Sequence, residues 1–139
     1  AEVCNAALPE GQEEKKEPIV IGTVQGDVHD IGKTIVVAFL RANGYDVHDL
    51  GRDISADKFL AKAEEVDAQV IGMSALLTTT MREQKRILDA LEKAGKKGVY
   101  KTIVGGGAST QNWADQIGAD AYAEDANDGV RKINALLGH

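Results

Sequence analysis

The sequence is poor in cysteine and aromatic residues, has no surplus of positive charge and contains no long apolar run. Cys4 is its one cysteine in 139 residues. That excludes an intramolecular disulfide and any multi-thiolate zinc or iron–sulfur site, and makes a reducing compartment the natural setting. The 16 basic residues are outnumbered by 22 acidic ones, for a net charge of −6, and they are scattered rather than gathered into a stripe. This balance argues against nucleic acid as a partner. No apolar segment approaches the roughly 18 to 20 residues that span a bilayer, and the start carries no signal-peptide pattern. The expectation is a soluble cytoplasmic protein without a membrane partner.

What is present points to one α/β domain. Aromatics make up only 4% of the residues, and small and branched aliphatics supply most of the 43% that are apolar. That composition suits a parallel sheet covered by helices. A chain of this length buries roughly two-thirds of the surface its unfolded state exposes, enough for a single core without staples.

Residues 1–17 are charged and offer little to bury, and Pro18 closes them off, so they read as a linker. From Pro18 onward the apolar period alternates between strand and helix. Ile19 to Val24, Tyr45 to Leu50, Gln69 to Met73, Thr102 to Val104 and Ala121 to Ala123 read as strands. Between and after them, helical stripes are marked by Ile31, Ile35, Phe39 and Leu40, then by Phe59, Leu60 and Ala63 behind a Ser55 cap. Ile87, Leu88 and Leu91 mark a third helix, Trp113 and Ile117 a fourth, and Val130, Ile133 and Leu137 a fifth. Gly44 and Gly95 serve as stops. Five strands each followed by a helix make an open parallel sheet with right-handed crossovers. A unit of this size is expected to be flavodoxin-like, with Rossmann-like layering, strand order 2-1-3-4-5 and helices on both faces. Its ligand crevice then lies where the order reverses, beside the first and third strands.

Three segments fall at that sheet edge: Gly26-Asp27-Val28-His29-Asp30-Ile31-Gly32, Ser74 to Thr80, and Gly105-Gly106-Gly107-Ala108-Ser109. Each alone has an ordinary explanation: a solvated histidine, threonines capping a helix, a glycine turn. Their convergence on one crevice weakens all three. A dinucleotide fingerprint belongs in the first strand-to-helix turn, where the glycine spacing here is wrong. A phosphate-binding loop lacks its first glycine ahead of Gly32-Lys33-Thr34. A His-Asp phosphohydrolase centre needs further histidines, and only His48 and His139 remain.

Read together, Asp27-x-His29-x-x-Gly32, Ser74-x-Leu76 and Gly105-Gly106, with forty-one and twenty-eight residues between them, resemble the signature of base-off, histidine-on cobalamin-binding domains. The likeness runs from Ile19 to about Leu137 and is greatest to methyltransferase corrinoid proteins and the methionine synthase cobalamin module. The resemblance implies a cobalamin or related cobamide as cofactor, with His29 as the lower ligand of cobalt. A ligating imidazole needs an acceptor on its other nitrogen. The resemblance gives that place to Asp27 and a third place in the relay to the Thr80 hydroxyl, so that His29, Asp27 and Thr80 form the catalytic set. Val28, Asp30, Ile31 and Gly32 belong to the same cofactor-binding motif. Ser74 would bond the displaced base, Leu76 pack near the corrin, and Thr78 contact the tail. Gly105, Gly106 and Gly107 would leave room for the nucleotide, with Tyr122 bordering the slot.

The resemblance further implies a methyl carrier with no turnover of its own. It would be loaded by a substrate-specific methyltransferase and unloaded by a methyl-acceptor methyltransferase, with a reductive activase as a third partner. In such proteins a helical domain precedes the cobalamin domain, which makes residues 1–17 its expected exit and 18–139 the corrinoid-binding domain. Two alternatives remain at this stage, the cobalamin module of an adenosylcobalamin mutase and that of a regulatory sensor. Mutase modules carry arginine where this chain has Ile31 and lack a stretch like Thr78 to Thr80, and a sensor needs a signalling domain.

Overall fold

A computed structural model describes residues 16–29, 31–96, 98–107 and 109–138. Five strands and five helices alternate along them. These are β1 Lys16–Thr23, α1 Ile31–Ala42, β2 Tyr45–Asp49, α2 Ala56–Val66, β3 Val70–Ser74, α3 Thr78–Lys93, β4 Lys101–Gly105, α4 Gln111–Ile117, β5 Ala121–Ala123 and α5 Ala126–Leu137. The sheet order is β2-β1-β3-β4-β5 with every pair parallel, as the alternation of periods implied.

The strands are buried on both sides, which is why they read as unbroken β-branched runs. Along β1, Ile19 and Ile21 face the core shared with α1 and α5, while Val20 faces the core shared with α2, α3 and α4. Local signals set the helix ends. The Ser55 hydroxyl accepts from Lys58 N–H, Thr110 from Trp113 N–H and Asp125 from Asp128 N–H, each satisfying a donor the first helical turn leaves free. Gly44 and Gly95 follow α1 and α3 with φ of 92° and 74°, a region open to glycine at little cost.

Two expectations change. The first strand starts at Lys16, inside the segment read as linker, because Lys16 pairs with Tyr45 and lays its ammonium 4.9 Å from the Tyr45 ring centre. The remaining linker residues, 1–15, lie outside the described residues. The stripe assigned to α1 is also rotated. Leu40 is buried, but its buried companions are Lys33 and Val37, whereas Ile31, Ile35 and Phe39 are exposed. An apolar stripe on a helix identifies the core face only where nothing else is to be covered, and here part of the stripe borders a cleft.

Candidate functional site

The site is built on the turn after β1. Val24 leaves the strand and forms a lone bridge to Ile54, and the chain then turns through Gly26, with φ of 85°, into Asp27. Asp27 is completely buried. A buried carboxylate survives only if its lone pairs are met, and all of them are. Oδ1 accepts from the backbone N–H of His29 at 3.0 Å and lies 2.9 Å from His29 Nδ1. Oδ2 accepts from Leu76 N–H at 2.7 Å and from the Thr80 hydroxyl at 2.7 Å. Burial pushes the Asp27 carboxyl up, but the hydrogen bonds from His29, Leu76 and Thr80 outweigh it and hold it down at about 2.

An ionised Asp27 is an acceptor only, so the hydrogen between it and the imidazole sits on Nδ1. That choice leaves Nε2 with its lone pair, and Nε2 has no partner among the described residues. The His29 side chain is half exposed, at 51%, over a carboxylate that is not exposed at all. The geometry therefore offers one oriented, neutral imidazole nitrogen outward. Thr80 completes the relay from the first turn of α3, where its oxygen also accepts from Leu77 N–H at 3.3 Å. The threonine both caps the helix and holds Asp27, so the two readings of the threonine run are compatible.

A cleft of about 610 Å³ opens beside this loop on the α1 and α5 face, walled by the ends of β3, β4 and β5. Gly32, Ser74, Gly105, Gly106, Gly107 and Tyr122 all line it. Val28, Ile31 and Leu76 are exposed beside His29 rather than within the cleft, which makes an apolar apron at its edge. Leu76 contributes twice, through its side chain near Gly107 and its N–H to Asp27. Thr78 is exposed at the start of α3 and is not on the cleft wall. Asp30 lies outside the described residues.

At Gly106 the requirement for glycine also has a basis within the chain itself. A Cβ on Gly106 would overlap the carbonyl oxygen of Ala75 and fall 2.6 Å from its carbonyl carbon, and one on Gly107 would fall 2.7 Å from Leu76 Cδ1. Gly106 must be glycine because it packs on the chain's own β3–α3 turn. A smooth cleft wall is the by-product.

Several residues of the site escaped the sequence reading. Ile35 and Phe39 line the cleft from α1. Lys33, which also lines it, is buried and donates to Asp49 Oδ1 at 2.6 Å, pinning α1 to β2. Asp53 accepts from Gly26 N–H at 2.7 Å through its side chain and donates its own N–H to Asp27 O at 3.0 Å. It does so with φ of 59°, an uncommon setting for a residue other than glycine. No local pattern in the sequence pairs Lys33 with Asp49, sixteen residues on. Nothing local in the sequence announces Asp53.

One histidine nitrogen, with no group of three or more His, Cys, Asp or Glu among the described residues able to hold a metal, suits a metal whose other ligands come from its own macrocycle. The fold and site thus define a flavodoxin-like binding domain that presents one imidazole nitrogen outward beside a cleft. Comparison with known proteins agrees. Residues 17–131 match the model of the B12 binding domain, and the chain belongs to that family. Its cofactor is accordingly a cobalamin or related corrinoid.

Among curated relatives, a dimethylamine corrinoid protein of Methanosarcina acetivorans is 50% identical over 97% of this chain and 63% of its own length. A corrinoid protein of Desulfitobacterium hafniense is 52% identical over 99% of this chain and 62% of its own. The chain thus spans less than two-thirds of these relatives. Among solved structures, a methanol:cobalamin methyltransferase complex from Methanosarcina barkeri superposes with a TM-score of 0.82 at 38% identity, covering 96% of this chain and 50% of that one. Receiver domains of response regulators, at a TM-score of 0.64 and 15% identity, share the fold alone. No helix among the described residues is long and apolar enough to cross a membrane.

Proposed function

We propose that this domain carries a cobamide with His29 Nε2 as the lower cobalt ligand and its nucleotide tail in the cleft, and serves as methyl carrier between methyltransferase partners. The observation behind this reading is the Asp27 carboxylate, whose four hydrogen bonds set the His29 tautomer and turn its free nitrogen outward. The relatives' names, a dimethylamine corrinoid protein and a methanol:cobalamin methyltransferase complex, support the carrier role over that of a mutase or sensor module. The methyltransferase complex among them supports a partner that loads the methyl group; a second methyltransferase that removes it and a reductive activase that restores the cofactor complete the proposal.

A bound cobamide supplies a cobalt centre able to take up and give back a methyl group. The chain's own residues do the rest. His29 offers or withdraws one nitrogen, Asp27 holds the Nδ1 hydrogen through either event, and the Thr80 hydroxyl keeps the Asp27 carboxylate ionised. Val28, Ile31, Leu76 and Leu77 give an apolar seat beside the imidazole, and Ser74, Tyr122 and the three glycines form the wall against which a tail would lie.

The test is an absorbance spectrum of the chain after incubation with hydroxocobalamin and desalting, beside His29→Ala. Retained corrinoid with a spectrum changed by the substitution is the expected result. Identical spectra for the two proteins would exclude His29 as the ligand.

A further inference from the structure

The side-chain amide of Gln84 makes every hydrogen bond available to it. It lies on α3 one turn after Thr80 and is fully buried. Nε2 donates to Met73 O at 3.0 Å and to Gly105 O at 3.1 Å. Oε1 accepts from the Ser109 hydroxyl at 3.1 Å and from the Trp113 indole N–H at 2.9 Å. One amide thus ties together the ends of β3 and β4, the residue just beyond the glycine loop, and α4. The Gly105 carbonyl also takes Ala75 N–H at 3.0 Å, and the Ser109 hydroxyl, whose single hydrogen is shared between this oxygen and Gln84 Oε1, lies 3.1 Å from it, so the contacts converge where the loop begins.

We infer that Gln84 is a positioning residue for the cofactor's nucleotide tail, setting the height of the glycine loop and the gap between the ends of β3 and β4. It acts from the opposite side of the sheet. The cleft lies toward α1 and α5, whereas Gln84 sits among α3, α4 and the far face, and it is not on the cleft wall. Two of its partners are, since Met73 and Gly105 line the cleft, and Ser74, the last residue of β3, lines it too. The loop it steadies rests on Ala75 and Leu76, with the tight Gly106 to Ala75 packing described above. Displacing that loop would change the wall on the tail side directly, whereas the His29 ring is bonded to Asp27 on another segment and meets the loop only through Leu76.

This inference rests on the reading that the tail occupies the cleft, and the test separates the two. Affinities are measured by absorbance titration for hydroxocobalamin and for the corresponding cobinamide, which has the same corrin but no nucleotide. The unaltered chain should favour cobalamin. Gln84→Met keeps the volume and removes all four bonds, and it should weaken cobalamin binding about tenfold while moving cobinamide less than about twofold. Trp113→Phe removes one of the four bonds and should weaken cobalamin about threefold. Leu91→Ala, at the far end of the same helix, destabilises the core and should leave the preference for cobalamin intact. In the protein without corrinoid, Gln84→Met should also shift the emission of Trp113, the chain's one tryptophan. Equal weakening toward both ligands, or an unchanged preference in Gln84→Met and Trp113→Phe, overturns the inference. If Gln84→Met does not fold, Trp113→Phe decides. Equal affinity of the unaltered chain for both ligands would remove the tail from the cleft, and the role of Gln84 with it.

Discussion

Gly106 lies against Ala75 so closely that a single added methyl group would overlap the Ala75 carbonyl, and it does so with φ of 110°. Both the space and the dihedral demand glycine here. Gly106→Ala should therefore destabilise the fold by on the order of 3 kcal/mol, combining left-handed strain with displacement of rigid backbone. Gly32 gives the contrast. It sits in the first turn of α1, at the cleft wall, with nothing within 4 Å of where a Cβ would go. Gly32→Ala should stabilise the corrinoid-free chain by up to about 1 kcal/mol through helix propensity. Since the new methyl group borders the cleft, it should also weaken corrinoid binding. Thermal denaturation and the titration above check both halves.

Asp27 makes stability depend on acid. Its folded-state value, about 2, lies below the ordinary 3.8. The unfolded chain therefore takes up the proton first, and the stabilisation is complete above about pH 4 and lost as pH falls toward 2. The size is on the order of 2 kcal/mol. Thr80→Val removes one of the donors that hold the value down, so its pH-dependent stabilisation should be smaller and already spent above pH 2, whereas Thr80→Ser keeps the hydroxyl and should follow the unaltered chain. Chemical denaturation at a series of pH values reads the difference.

Lys33 and Asp49 form an unequal pair, with side chains 2% and 26% exposed. Removing the partner of the more buried charge costs more. Asp49→Asn should destabilise by about 2 to 4 kcal/mol because it strands a buried ammonium, and Lys33→Met by about 1 kcal/mol because Asp49 can turn to water and still accept from Gly51 N–H. Equal costs in urea denaturation would contradict this ordering.

Asp53 clasps the turn that carries Asp27. Asp53→Asn keeps an acceptor for Gly26 N–H and tolerates positive φ, so it should cost less than about 0.5 kcal/mol. Asp53→Ala loses the acceptor and keeps the strain, and should cost about 1 to 2 kcal/mol. Hydrogen exchange at Gly26 N–H should quicken in the alanine variant alone.

The sheet order and the site's three segments were legible in the sequence because each depends on a local pattern. Buried strands read as β-branched runs, Ser55 announces its cap, and Asp27-x-His29 sets its two partners only two residues apart. What was not legible depends on partners distant in sequence. Phe39 looks like core until α5 leaves a cleft beside it. Gln84 looks like a polar residue on a helix surface, and its four partners come from four other segments. The glycine loop was correctly assigned to the cleft, but the need for glycine came from Ala75, more than thirty residues away.

All the donors that converge on Asp27 belong to the chain itself, drawn from the turn after β1, the end of β3 and the first turn of α3. The conformational entropy of fixing His29 is therefore charged to folding and not to encounter with the cofactor. An imidazole set in advance has no search to make, so the slow event in loading is expected to be the threading of the corrinoid into the cleft. Exchange of one corrinoid for another would then be governed by how often the cleft walls part, a timescale that the stability of α1 and α5 controls.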